Sequence, residues 1–200
     1  ADRLALLATM SALMLAAMAL PLGPLGYHLS LAPVVGMLLG AGLAFVAAAV
    51  VNVILALFGH GGITVIGLNM LVLGTAAALG RRAYVWLSRS QRPFWAAAAA
   101  AVIAHAGALV VFLVIVGLAG LAPTPGEVES MVHEEETAGH SHALEVAGVR
   151  LGRFALLSLP FWIIGSVTEA LVAGGIIGFL HRVRPTLIPD RQGRTGETLQ

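Results

Sequence analysis

The sequence predicts an all-α, polytopic membrane protein with about six transmembrane helices, and three observations support this prediction. Charged residues make up 10% of the chain, against roughly a quarter in water-soluble domains, and hydrophobic residues make up 58%. No Asp, Glu, Lys or Arg occurs between Leu4 and Gly80. Because a bilayer-spanning helix needs about 20 mostly apolar residues, the chain has material for five or six spans and little else.

Prolines and glycines divide the apolar sequence into elements. Pro21 and Pro24 favour a turn after the first span. Residues 31–58 are too long for one untilted crossing, and the glycines near their middle favour a break there. The expected spans are Leu4 to Leu20, a short helix from Leu31, a second one from about Gly42 to Phe58, Ile63 to Leu79, Phe94 to Leu121 and Phe154 to His181.

Polar residues are concentrated in three segments. A basic loop is expected at residues 81–92, and an outer loop rich in Glu and His at about residues 123–149, outside the hydrocarbon region. This outer loop is either a solvated segment or a loose metal site. We therefore expect one transmembrane domain over residues 1–189, followed by a flexible cytoplasmic tail at residues 190–200.

The positive-inside rule gives an orientation. Arginines in the loop at 81–92, together with Arg182 and Arg184, place those segments in the cytoplasm, so that six spans put both termini there. His28 and the segment 127–145 then face the outer side. If residues 31–58 cross only once, His28 moves to the cytoplasmic side instead.

Several function classes are disfavoured. A net charge of +1 argues against a nucleic-acid-binding protein, which would need a clustered basic face. The lack of cysteine excludes disulfides and thiolate metal sites. The sequence contains no phosphate-binding loop, no HExxH motif and no GxSxG motif. We therefore expect a transporter subunit without an ATPase site rather than an enzyme.

His28 is the first candidate site residue, because it follows Tyr27 at a membrane boundary. A neutral imidazole suits nickel, cobalt, zinc or copper, and geometry rather than affinity selects among them. The alternative is an interfacial histidine that is hydrated by water.

His60 lies among glycines, with Thr64 and Asn69 shortly after it. Glycines permit a tight turn, so His60 either is presented to a ligand or holds a neighbouring loop by a hydrogen bond. Bracing is the simpler interpretation, and Thr64 and Asn69 are supporting residues.

Glu169 is a carboxylate well inside the last expected helix. Intramembrane carboxylates are usually functional or paired, and His60, His105 or a polar helix face could be its partner. We expect it to support a loop around a site.

Ala8, Ala12 and Ala16 recur at every fourth position and therefore lie on one helical face. Small residues let another helix approach closely. That helix belongs either to this chain or to a partner subunit.

Several of these segments resemble the CbiM/NikM family, the substrate-binding components of energy-coupling factor transporters for cobalt and nickel. The resemblance covers most of the chain, and its most specific part is the His-Gly-Gly-Ile-Thr signature from His60 to Thr64 with Asn69. The other matching parts are the segment from Gly26 to His28, the glycines from Gly36 to Gly40, Glu169 in the final helix and the ending from Arg182 to Ile188.

The resemblance implies a multi-pass protein of a prokaryotic cytoplasmic membrane. It implies capture of Ni²⁺ or Co²⁺ as a transported substrate, with no permanently bound cofactor. The implied partners are a transmembrane coupling subunit, cytoplasmic ATPase subunits and, in some systems, a small accessory membrane subunit. Nucleic acid is not among them.

The resemblance also implies roles for individual residues. His28 corresponds to the family's metal-binding loop histidine, His60 to its bracing histidine, and Ala8, Ala12 and Ala16 to the face that packs on the coupling subunit. Family members begin with Met-His-Ile and an additional helix, and the amine and this second His supply further metal nitrogens. This chain begins at Ala1, so we expect those ligands upstream or elsewhere, or a core-only relative whose site is completed differently.

Two other functions remain open from the sequence. An ion-coupled secondary carrier would use Glu169 as its proton site and would need no ATPase. A structural membrane subunit would bind partners but no metal.

Overall fold

The computed structural model describes residues 2–20, 28–59, 63–120 and 139–188 of the 200-residue chain. These residues form six α-helices, with short 3₁₀ helices at Ile63–Val65 and Pro185–Leu187. The α-helices are α1 (Asp2–Ala19), α2 (Ala32–Leu39), α3 (Ala41–Leu57), α4 (Ile66–Leu87), α5 (Pro93–Gly120) and α6 (Gly139–Val183). The all-α prediction is therefore confirmed.

Two of these helices contain apolar stretches long enough to cross a bilayer. They are Pro93–Ala119 of α5 and Leu156–Val183 of α6. Two shorter apolar helices, Arg3–Ala19 and Ala41–Leu57, accompany them. α2 has only 8 residues and rises about 12 Å, which is less than half of the roughly 30 Å hydrocarbon core.

The predicted break between α2 and α3 lies at Gly40. Its φ of +85° is a backbone conformation that side chains disfavour. The Gly40 N–H still donates to the carbonyl of Gly36 at 2.9 Å, and the Gly40 carbonyl accepts from the Ala44 N–H at 3.0 Å. One glycine therefore ends one helix and begins the next, and its own N–H and carbonyl both keep backbone hydrogen bonds.

α4 is longer than the sequence predicted. We expected Arg81 and Arg82 in a loop, but α4 continues to Leu87, and the turn occupies residues 88–92. Arg, Ala and Leu are good helix formers, so the charged end of the segment continues the helix. Arg81 donates from Nη1 to the Met37 carbonyl of α2 at 3.0 Å. This bond places Arg81 beside the C-terminal end of α2, where a cation also stabilises the dipole of α2.

α6 begins earlier than expected. Residues 139–149 belong to α6, although we expected them in the outer loop. No proline interrupts this part of the sequence, and its Ala, Leu and Glu residues favour helix. The Glu-rich residues 127–138 lie outside the described residues.

α2 is the buried centre of the fold. All eight of its residues are buried, and it packs against each of the other five α-helices. The approach to α4 is close, because a Cβ on Gly36 would collide with the Ala77 carbonyl. On the neighbouring turn of α4, a Cβ on Gly80 would lie 3.0 Å from Pro33. The two glycines therefore allow backbone-to-backbone packing of α2 on α4.

We predict that Gly36→Ala destabilises the protein by about 1–3 kcal/mol, because its methyl group has no space against the α4 backbone. Gly42→Ala is the matched control, since a Cβ at that helical position meets nothing within 4 Å. The measurement is thermal unfolding in detergent, where only Gly36→Ala should lower the transition. Equal transitions for both variants would show that the α2–α4 contact is not tight.

Candidate functional site

His28 begins a short segment that leads into α2. The side chain of His28 is half-buried, and the segment ends at Leu31, which has a φ of +52°. A non-glycine residue in this left-handed region costs of order 1–3 kcal/mol unless its surroundings hold it. Leu31 is 4% exposed, and its carbonyl accepts from the Val35 N–H at 2.9 Å. Burial of Leu31 and its hydrogen bond to the first turn of α2 therefore hold this strained backbone, three residues after His28.

Glu169 of α6 holds this segment by hydrogen bonds. The Ser30 N–H donates to Oε1 of Glu169 at 2.6 Å, and the Ser30 hydroxyl donates to Oε2 at 3.2 Å. The Ser30 oxygen also lies 3.3 Å from the Ala32 N–H in the first turn of α2 and accepts from it. Glu169 is 3% exposed. One carboxylate thus fixes both the backbone and the side chain two residues after His28.

His105 of α5 completes the network. Its Nε2 lies 3.0 Å from Oε2 of Glu169, and its Nδ1 lies 2.8 Å from the Ala101 carbonyl. A carbonyl only accepts, so Nδ1 is the donor to Ala101. Contacts with protein groups at both carboxylate oxygens explain how an ionisable group is accommodated among apolar helices.

The depth of this network follows from helix rise. At 1.5 Å per residue, His105 lies about 18 Å along α5 from Pro93. Glu169 lies about 21 Å along α6 from Val183. Both of these helix ends adjoin a groove lined by arginines. Because the apolar spans run from Pro93 to Ala119 and from Leu156 to Val183, the network lies near the middle of both.

A family comparison gives this arrangement its biological context. The family model described as "Cobalt uptake substrate-specific transmembrane region", CbiM, matches residues 1–187 of the 200. The chain belongs to the CbiM family. No curated protein and no solved structure matched it. The CbiM chain is thus a transmembrane component of cobalt uptake, and cobalt is the substrate that the family description names.

The structure places the other predicted site residues differently. Thr64 is exposed, and Asn69 is half-buried in the first turn of α4. No hydrogen bond in the described part of the CbiM chain links either of them to residues 28–30. His60 lies outside the described residues. The structure therefore joins one predicted support residue, Glu169, to the segment of His28.

Ser30 was not among the predicted site residues. The signal available in the sequence was a small hydroxyl residue placed just before a helix, a position that favours local backbone hydrogen bonds. The long-range bond to Glu169 spans 139 positions, and nothing in a single sequence indicates that pairing. His105, by contrast, was one of the expected partners of Glu169, and the structure confirms it.

The described residues of the CbiM chain contain no group of three or more His, Cys, Asp or Glu side chains able to hold a metal ion. Both oxygens of Glu169 contact Ser30, and Oε2 also contacts His105.

Ala8, Ala12 and Ala16 are all exposed on α1. Met14, on another face of the helix, is 1% exposed and belongs to the core that α1 shares with α3. The small-residue face is therefore not used for packing by the described residues.

We predict that Glu169→Ala speeds amide hydrogen exchange in peptides that contain residues 28–32. The variant leaves the Ser30 N–H and the His105 ring without their acceptor, which costs about 1–3 kcal/mol for a buried donor. Thr168→Val is the control, because the exposed Thr168 bonds only to the Ile164 carbonyl of its own helix. Unchanged exchange in the Glu169 variant would mean that the carboxylate does not hold the segment.

Proposed function

We propose that this chain is the substrate-capture component of an energy-coupling factor transporter, and that it takes Co²⁺ or Ni²⁺ through a site at His28. The observation that supports this most directly is the attachment of Ser30 to Glu169, two residues from His28. A metal ligand on a loop needs such support to keep its geometry. The family membership supplies the transport function and the cobalt substrate.

The chemistry of the ion supports a nitrogen site. A neutral imidazole binds Co²⁺ and Ni²⁺ well, and a carboxylate already engaged by three hydrogen bonds is not needed as a ligand. One imidazole does not fill a coordination sphere, so the proposed site takes further nitrogens from residues beyond the described ones. The resemblance to CbiM/NikM proteins suggests an amine and a second histidine for that purpose.

We place the chain in the cytoplasmic membrane of a prokaryote, with both termini in the cytoplasm and His28 open to the outer side. Positive charge supports this orientation, because Arg81, Arg92 and Arg182 all lie at one end of the fold. The Glu169 network lies near the middle of the two apolar spans. Substrate then reaches His28 from the outer side.

Transport energy comes from partners in this proposal. The sequence contains no GxxxxGK[ST] loop for ATP phosphates, so we assign hydrolysis to separate cytoplasmic subunits. The exposed alanine face of α1 is the proposed contact for the coupling subunit, because small residues permit close helix approach. A small accessory membrane subunit can join such a complex.

The geometry of Glu169 favours support over proton-coupled transport. Oε1 accepts from the Ser30 backbone, and Oε2 meets both the Ser30 hydroxyl and His105. A carrier that used this carboxylate as its proton site would have to break these bonds in each cycle. We therefore assign Glu169 a role in positioning His28.

We predict that His28→Ala abolishes tight Co²⁺ and Ni²⁺ binding by the detergent-solubilised chain, because the variant removes the proposed imidazole ligand. The measurement is isothermal titration calorimetry. His181→Gln is the control, since His181 is exposed near the far end of α6 and should leave the affinity unchanged.

Normal metal binding by His28→Ala would contradict the assignment of this ligand. A wild-type chain that binds neither ion would show that the site does not form on this chain alone, and the protein would then be a scaffold for ligands supplied elsewhere.

A further inference from the structure

A groove of about 540 Å³ lies between the beginning of α5 and the end of α6. It is separate from the Glu169–His105 network, which lies about 20 Å away along the same helices. Its size is typical of small-ligand sites. Neither the transport function nor the family membership accounts for it.

The position of the groove places it at the membrane surface. Pro93 is the first residue of one apolar span, and Val183 is the last residue of the other. Trp95 lines the groove and is 61% exposed, as is usual for tryptophans at the boundary between lipid and water. The groove therefore lies at the depth of lipid headgroups.

The charge of the groove is positive. Arg92, just before α5, and His181 and Arg182 of α6 line it, and all three side chains are exposed. Among the described residues that line it, there is no carboxylate. A guanidinium stays protonated and donates two parallel hydrogen bonds to a phosphate, so two of them favour a phosphate group strongly.

The remaining walls are apolar. Phe179 is 62% exposed, and Phe94 packs edge-on against the Trp95 ring at 5.0 Å between centroids. A Cβ on Gly175 would meet nothing within 4 Å, which leaves open space along α6. On the opposite side of that turn, a Cβ on Gly174 would lie only 2.9 Å from the Phe94 carbonyl, so the two helices are in close contact there.

We propose that this groove binds an anionic phospholipid, with the phosphate between Arg92 and Arg182 and an acyl chain along the open side of α6 at Gly175. Charge complementarity selects this occupant. An apolar helix from a partner would cover two guanidinium groups without providing acceptors, which is costly. A lipid brings the phosphate and the apolar chain together, and basic pockets at the cytoplasmic ends of helices bind such headgroups.

The test is native mass spectrometry of the full-length chain in detergent with equimolar phosphatidylglycerol and phosphatidylcholine of identical acyl chains. We expect the wild type to retain phosphatidylglycerol at least about fivefold over phosphatidylcholine, the preference that one arginine contributes near a membrane surface. The Arg92→Gln/Arg182→Gln double variant should lose this preference. Arg82→Gln/Arg89→Gln removes the same charge from a different surface, formed by the end of α4 and the turn after it, and should retain this preference.

A second variant tests the groove without changing its charge. Gly175→Leu fills the groove at a position where the added Cβ meets nothing, and it should also reduce the phosphatidylglycerol adduct. Retention of the preference in both the Arg92→Gln/Arg182→Gln and the Gly175→Leu proteins would overturn the proposal. Displacement of phosphatidylglycerol by excess inorganic phosphate would also overturn it, because the site would then take a free anion.

Discussion

A carboxylate that lies deep along an apolar helix must obtain its hydrogen bonds from protein, because lipid provides none. In this chain that constraint is met at Glu169. Its oxygens accept from the Ser30 backbone and hydroxyl, and Oε2 lies 3.0 Å from Nε2 of His105. These contacts connect α5, α6 and the segment before α2. The connection attaches the segment from His28 to Ser30 to α6, next to the strained and buried Leu31.

Close packing at the centre makes the connection rigid. α2 is buried along its whole length, and Gly36 lets it lie directly against the backbone of α4. Arg81 holds the other end of α2 through the Met37 carbonyl. The helix is therefore fixed at its beginning by the Ser30–Glu169 bonds and near its end by an arginine of α4. A short helix held in this way can carry a loop ligand at a defined depth.

Much of this architecture could be predicted from residue patterns. The absence of charge from Leu4 to Gly80 indicates membrane helices, and the break at Gly40 follows from the length of the apolar run and its glycines. The ends of α4 and α6 were predicted less well, because Arg and Glu residues serve equally well in a loop and in an extended helix. Glu169 could be singled out as an isolated intramembrane carboxylate. Its hydrogen bond to Ser30 could not be predicted, because that contact depends on how elements far apart in the sequence pack together.

We propose that Glu169 acts on metal capture through the segment of His28 and not as a ligand. The most direct measurement is the Co²⁺ affinity of Glu169→Gln beside Thr168→Val, by calorimetry on the full chain. Loss of support for a metal ligand typically lowers affinity 10–100-fold, so we expect Glu169→Gln to bind Co²⁺ about tenfold or more weakly, with Thr168→Val unchanged. Equal Co²⁺ affinity in wild type and Glu169→Gln would contradict the claim.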